Sequence, residues 1–209
     1  MFLPTRSAFV YAEHAEEKSL IQWGMRDFVF NGLRIAVCRG DEPPTGDIAV
    51  VCDFSHPIDL VMEAKGETDR LADVCAISEK SDLTLVYGTE MIVFGERRLS
   101  AVIARRGRLA DVTDGCSVSP PFVASKTVKI YRAGSVKFAV LLGGDARVAF
   151  IMKKIAGACD FVVAIEPEPA AGSSARVKYL SAKLYVPVLY ASPNEVFFTG
   201  AELYRNTLS

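Results

Sequence analysis

The chain has 209 residues, half of them apolar, which suits one ordinary domain with a sizeable buried core. Lysine and arginine number 24 against 25 acidic residues, a net charge of −1 with the signs mixed, so nothing electrostatic points to nucleic acid or an anionic membrane as partner. Five cysteines (Cys38, Cys52, Cys75, Cys116, Cys159) form no metal-ligand spacing and no apolar run spans a bilayer, so the expectation is a cytoplasmic protein with reduced thiols and neither metal nor cofactor.

From about Ala12 to Phe30 the pattern reads as an amphipathic helix with Leu20, Ile21, Trp23, Phe28 and Phe30 as apolar positions, which makes residues 1–31 a helical appendage. A strand follows in "LRIAVCRGD", ended by Arg39-Gly40, and "DEPPTG" enforces a turn through two prolines and a glycine. "DIAVVCDF" is a second strand, and Leu71, Val74, Cys75 and Ile77 recur at helical spacing across Thr68 to Lys80. "LTLVYGTEMIVF" and "LSAVIARRGRLADVTD" are consecutive strands, the latter turning at Arg106-Gly107. After the loop "DGCSVSPP", the stretch "TVKIYRAGSVKFAVLL" reads as a hairpin turning at Ala133-Gly134. A helix fits Asp145 to Ala158, with Val148, Phe150, Ile151 and Ile155 on its apolar side. The strand "FVVAIEP", a helix around Ala175 to Leu184, and the strands "VPVLYAS" and "VFFTGAELY" complete the chain. No repeat or composition break marks a second domain, so residues 1–209 are read as one unit. Strands apolar on both sides, alternating with helices but interrupted by hairpins, imply two mixed sheets face to face with helices outside. That is a four-layer α-β-β-α sandwich, class α/β.

Four stretches carry a resemblance: "GDIAVVCDF", "GRLADVTD", "VKFAVLLGGDARVAF", and "ACDFVVAI" together with the segment from "SSARVKYLSAKLYVPVLYAS" onward. In order and apolar pattern they are similar to the nitrilase, or carbon–nitrogen hydrolase, superfamily, and the resemblance covers most of the chain from Leu33. Members of that superfamily hydrolyse amides or nitriles with a Glu–Lys–Cys triad. Position by position, the resemblance puts the base glutamate on Asp53 and its preceding proline on Cys52. The lysine falls on Asp114 or Thr113, the cysteine on Gly143, the variable position after it on Gly144, and the family aspartate on Asp145. Only Asp145 keeps the family residue. The helix that the family carries between its first two strands is replaced by "GDEPPTG", so the sandwich is expected to be trimmed.

Acyl transfer needs a thiolate, a carboxylate to move its proton, and a cation near the developing oxyanion. Glycine at 143 supplies no attacking atom, and an acid at 114 repels the oxyanion instead of stabilising it. The main expectation is therefore a protein without C–N hydrolase activity that acts through binding or oligomer surfaces, as a homodimer on the family's precedent. Two alternatives remain open. One is a C–N hydrolase with a relocated site, in which Cys52 or Cys116 is the nucleophile. The other is a sensor for a small amine held by Asp53 and Asp114 in one pocket.

Several local groups have two readings. In "CDFSHP" the thiol of Cys52, Asp53 and His56 crowd a strand end, yet Cys52 and Asp53 point to opposite faces if the strand continues. Asp53, His56 and Asp59 lack a metal-site spacing. Cys116 lies beside Asp114, which raises a thiol pKa. Gly143-Gly144 is either a tight turn or a ligand-facing one in which the helix from Asp145 offers N–H groups to an anion, with Asp145 able to cap those groups itself. Glu166 and Glu168 read as solvated loop acids or an acid–base pair, His14 as solvated, and Lys126, Lys129 and Lys137 as hairpin surface charges.

Overall fold

The computed structural model describes residues 26–38, 44–79, 83–168 and 172–199. Leu20, Ile21, Trp23 and His14 lie outside them, as do Arg39-Gly40 and the first half of the "DEPPTG" turn.

The first described element, β1 (Arg26–Phe30), is a strand and not the end of a helix, and it pairs antiparallel with β2 (Leu33–Cys38). The reason is local. Asn31 and Gly32 adopt φ of 49° and 79°, the two positive values that a tight hairpin turn requires. The alternation then becomes two-fold: Phe28 and Phe30 pack on the core while Val29 is 73% exposed.

From there the chain builds β3 (Ile48–Cys52), the two-residue β4 (Ile58–Asp59), α1 (Leu60–Lys65) and α2 (Arg70–Glu79). Two long hairpins follow through β5 (Thr84–Val93), β6 (Glu96–Arg105) and β7 (Arg108–Asp114). These strands form one sheet in the order β1-β2-β3-β5-β6-β7, with β4 paired to β5. Its centre, β2-β3-β5, is parallel, and its strands are apolar on both faces because both are covered. α1 is absent from the sequence reading. Its N-cap is Asp59, whose carboxylate accepts the N–H groups of Val61 and Met62, so Asp59 serves a helix and not a metal.

The second sheet contains β8 (Ile130–Ala133), β9 (Val136–Leu142), β10 (Phe161–Ile165), β11 (Val188–Ala191) and β12 (Val196–Thr199), in the order β12-β11-β10-β9-β8. Its crossovers run through a 3-10 turn (Gly143–Arg147) with α3 (Ala149–Ile155), and through α4 (Ser173–Leu184). The helix expected from Asp145 to Ala158 is thus split. Phe150, assigned to its apolar side, is 47% exposed, and Ile151, Met152 and Ile155 are the residues that pack inward.

Three apolar clusters define the layers. Ile35, Val37, Val86, Leu99, Ala101 and Ile103 of the first sheet meet Phe138, Val140, Leu142, Phe161, Val163 and Ile165 of the second. The opposite face of the first sheet (Ala36, Val51, Leu85, Tyr87, Val102) packs under Val74 and Cys75 of α2. The opposite face of the second (Leu141, Val162, Ala164, Tyr190) packs under Ile151, Ile155, Val177 and Leu180 of α3 and α4. The architecture is the expected α-β-β-α sandwich.

Candidate functional site

The strand-to-helix corner after β9 is where the family resemblance puts a nucleophile. Gly143 there has φ +57°, in the region that favours glycine. A Cβ on it would lie 3.0 Å from Leu99 Cδ2, and one on Gly144 only 2.5 Å from the Ser117 carbonyl oxygen. The neighbour is the loop after β7, which lies directly on the corner. Gly144 N–H donates to the Ser117 carbonyl at 3.0 Å. Asp145, only 2% exposed, completes the clamp. Its Oδ1 accepts the N–H groups of Cys116 (2.7 Å) and Ser117 (2.6 Å), and its Oδ2 that of Leu142 (3.1 Å). Burial pushes this carboxyl above its ordinary value, and the three backbone donors pull it partly back. Gly144 is therefore required by the loop's approach and Gly143 by its positive φ and by Leu99, and the Gly144 N–H is taken by Ser117.

Asp114, which shares with Thr113 the lysine position in the resemblance, ends β7. It accepts from Ser100 Oγ at 2.7 Å and from Arg98 Nη1 at 3.2 Å. Asp53, at the base position, leaves β3 on the helix-covered face. Tyr87 OH donates to its Oδ2 at 2.7 Å, Arg70 Nη2 donates to the same oxygen, and Ser55 donates N–H and Oγ to Oδ1 at 3.1 and 2.6 Å. Burial raises this carboxyl, but the Ser55 and Tyr87 hydrogen bonds and the Arg70 guanidinium outweigh it and hold the pKa at about 2. Cys52 turns the other way, onto the layer between the sheets, as strand alternation requires.

These positions do not converge. Cys52, Gly88, Ala101 and Thr113 form one row across the sheet, so Asp53 and Asp114 stand at opposite ends of the next row, about three strand spacings or ~14 Å apart. A pocket that uses both carboxylates for one amine is therefore not present. Between the sheets, beside Cys52, the space is packed: a Cβ on Gly88 would meet Ile165 Cγ2 at 2.7 Å and the Phe54 ring at 3.3 Å.

Among the described residues, three other groups are candidates for a nucleophile. Burial pushes the Cys52 thiol up to about 12, and burial with Asp145 raises Cys116, whose Sγ lies 3.4 Å from the Thr127 carbonyl. Ser55, His56 and Asp53 have the composition of a hydrolytic triad but not its geometry. His56 Nδ1 faces both Ser55 Oγ (2.8 Å) and Asp53 Oδ1 (3.4 Å), so one nitrogen would have to take the serine proton and hold its own on the acid. Asp53, His56, Arg70, Tyr87, Val74 and Ile77 line an open cleft of about 460 Å³ beside α2. Glu166 and Glu168 separate: Glu168 is exposed, whereas Glu166 is 7% exposed and accepts from Arg176 Nη1 (3.2 Å) and Tyr190 OH (3.0 Å). That pair ties α4 to the sheet. Lys126 and Lys137 are exposed, and Lys129 is held by Asp111. Among the described residues, no group of three or more His, Cys, Asp or Glu is placed to hold a metal, and no helix is long and apolar enough to cross a membrane.

Sequence reasoning missed Arg70 and Tyr87 as the partners of Asp53, and Ser117 as the occupant of the corner. Tyr87 had a usable signal, a lone hydroxyl in a run of apolar strand residues, which needs a buried partner.

Solved structures share this architecture. Saccharomyces cerevisiae Nit3, a member of branch 10 of the nitrilase superfamily, superposes with TM-score 0.59 at 11% identity, covering 78% of this chain and 80% of its own. The fold is that of the nitrilase superfamily. The amidase from Nesterenkonia sp. AN1, in a structure with acrylamide added at its active-site cysteine, gives 0.57 at 13% identity, covering 74% of this chain and 72% of its own. Glutamine-dependent NAD+ synthetase from Acinetobacter baumannii, bound to ADP, gives 0.59 at 17% identity over 74% of this chain, which spans only 35% of that enzyme. No protein-family model matches the sequence, and no curated protein matches it either. The nitrilase fold is thus reached through shape, with little sequence in common.

Proposed function

We propose that this chain is a nitrilase-fold pseudoenzyme: a cytoplasmic protein that does not cleave C–N bonds and acts through its surfaces as a homodimer. One observation carries the reading. The loop of Cys116 to Val118 lies on the Gly143-Gly144 corner, at van der Waals or hydrogen-bonding distance, where the family chemistry needs a thiolate and room for an acyl carbon. The similar amidase has an active-site cysteine. Here the thiols nearest the relevant positions, Cys52 and Cys116, are held in the protonated form by burial. The wide separation of Asp53 from Asp114 and the missing positive charge at 114 support the same reading. For the dimer, the helical layer of α3 and α4 exposes Phe150 and Tyr179, the latter by 61%, a surface suited to a second copy.

The test is ammonia release from a panel of aliphatic and aromatic amides and nitriles, compared with heat-treated protein. The expected result is no release above background and uniformly slow labelling of the cysteines by a maleimide. Turnover, or one cysteine labelled far faster than the rest, overturns the proposal and restores a C–N hydrolase with a relocated site. Light scattering coupled to size-exclusion chromatography tests the dimer, and a monomer across micromolar concentrations rejects it.

A further inference from the structure

The edge strands β7 and β8 belong to different sheets but meet on the same side of the sandwich. Lys129 Nζ, just before β8, donates at 2.7 Å to Asp111 Oδ1 and at 2.7 Å to the Val112 carbonyl of β7. Arg105, at the end of β6, reaches across to donate to the Arg132 carbonyl of β8. Between these bridges lies a cleft of about 520 Å³, a volume suited to a small organic ligand. It is about five residues along β9, or ~17 Å, from the Gly143 corner, since Tyr131 pairs with Phe138.

A β-bulge shapes the cleft. Asp111 pairs with Ile103 and Leu109 with Ala104, leaving Ala110 as an extra residue in β7. Ile103 faces the layer between the sheets, so Asp111, its partner, points to the same side and meets Lys129 there. The carboxylate is then fully engaged: it also accepts from Val112 N–H at 2.8 Å and from Tyr131 OH at 3.2 Å. Among the described residues it is the only acid lining the cleft, against Arg105, Lys129 and Arg132. Arg105 is left with spare capacity. Its Nε–H is buried and has no hydrogen-bond partner among the described residues, a costly state for a guanidinium donor.

We propose that this cleft binds a small organic anion, an oxyanion carried on an apolar body. The oxyanion sits on the Arg105 guanidinium, and the body lies against the Tyr131 ring. A phosphate monoester and a carboxylate share that chemistry. The site is independent of the inactive-corner reading, because none of its residues touches the corner.

The experiment is isothermal titration calorimetry of the full chain at low salt with phenyl phosphate and with benzoate, and with benzylamine as the cationic control, paired with amide NMR mapping. At least one anion is expected to bind, with affinity falling as salt rises, and to shift the amides of Ile103, Ala110 and Tyr131. The tighter of the two anions identifies the head group. Arg105→Gln is expected to weaken binding by about tenfold or more. Asp111→Asn is expected to tighten it by releasing Lys129. Should Arg105→Gln fail to fold by circular dichroism, Arg105→Lys, which keeps the charge but lacks the planar guanidinium fork, is expected to weaken binding as well. No heat and no shifts with either anion, unchanged affinity in a folded Arg105 variant, equal binding of benzylamine, or shifts centred on Gly143 would each overturn the proposal.

Discussion

Replacing Asp145 tests the clamp at the corner most directly. In Asp145→Ala, the N–H groups of Cys116, Ser117 and Leu142 lose their acceptor. An unpaired buried donor costs about 1–3 kcal/mol. Leu142 is buried, whereas Cys116 and Ser117 are half-buried and can recover water once the loop lifts, which keeps their cost at the low end. With Leu142 taken near the middle of that range the sum is about 3–4 kcal/mol, a large part of the 5–15 kcal/mol typical of a domain. At this chain length that lowers the melting temperature by about 6–16 °C. Asp145→Asn keeps one oxygen, enough for Cys116 and Ser117, and turns its NH2 toward Leu142 N–H, for a loss of about 1–2 kcal/mol. Urea unfolding gives the energies, and amide exchange at Cys116 and Ser117 reports the loop. If the alanine variant lies within about 0.5 kcal/mol of wild type, as an ordinary surface substitution would, or if exchange at 116 and 117 is unchanged, Asp145 does not hold the loop and the argument for a blocked corner fails.

Acid unfolding carries a second prediction. Asp53 has a folded pKa of about 2 against an ordinary 3.8, so its contribution is complete above pH 4 and disappears as pH falls through 2. The shift is equivalent to roughly 2 kcal/mol at most, reduced to about 1 by solvent screening. Asp53→Asn flattens the stability profile between pH 2 and 4, and an unchanged slope refutes the assignment. Tyr87→Phe removes a donor to Asp53 and costs about 1–2 kcal/mol, with the Asp53 carboxyl rising in a pH titration followed by NMR. Gly88→Ala forces a Cβ to within 2.7 Å of Ile165 Cγ2 and costs about 1–3 kcal/mol. Pairing it with Ile165→Ala, which removes Cγ2 along with the rest of the side chain beyond Cβ, recovers part of that loss; strict additivity in the double mutant contradicts the contact.

The layers were legible because periodicity reports burial. Strands such as Ile35 to Cys38 and Phe161 to Ile165 are apolar at every position only if both faces are covered, which demands helices on one side and a second sheet on the other. Asn31-Gly32 was an available hairpin signal, but Phe28 and Phe30 also fit a helical stripe, and the longer pattern prevailed. At the site, the identity of Gly143 was readable as the lack of a nucleophile. That the loop of Cys116 to Val118 lies on it was not, because the contact joins residues 26 or more apart through backbone groups that every sequence possesses. The burial of Glu166 was hidden likewise: the proline after it suggests a solvated loop, while its partners Arg176 and Tyr190 come from later elements.

The approach of Ser117 to Gly144 makes the corner a difficult place to install a nucleophile. A cysteine introduced at 143 would inherit a left-handed backbone, a leucine methyl at contact distance, and a wall of main chain where its target must stand. Installing a working thiol at this corner therefore takes a rebuilt loop as well as a new side chain, and no single substitution at 143 supplies both.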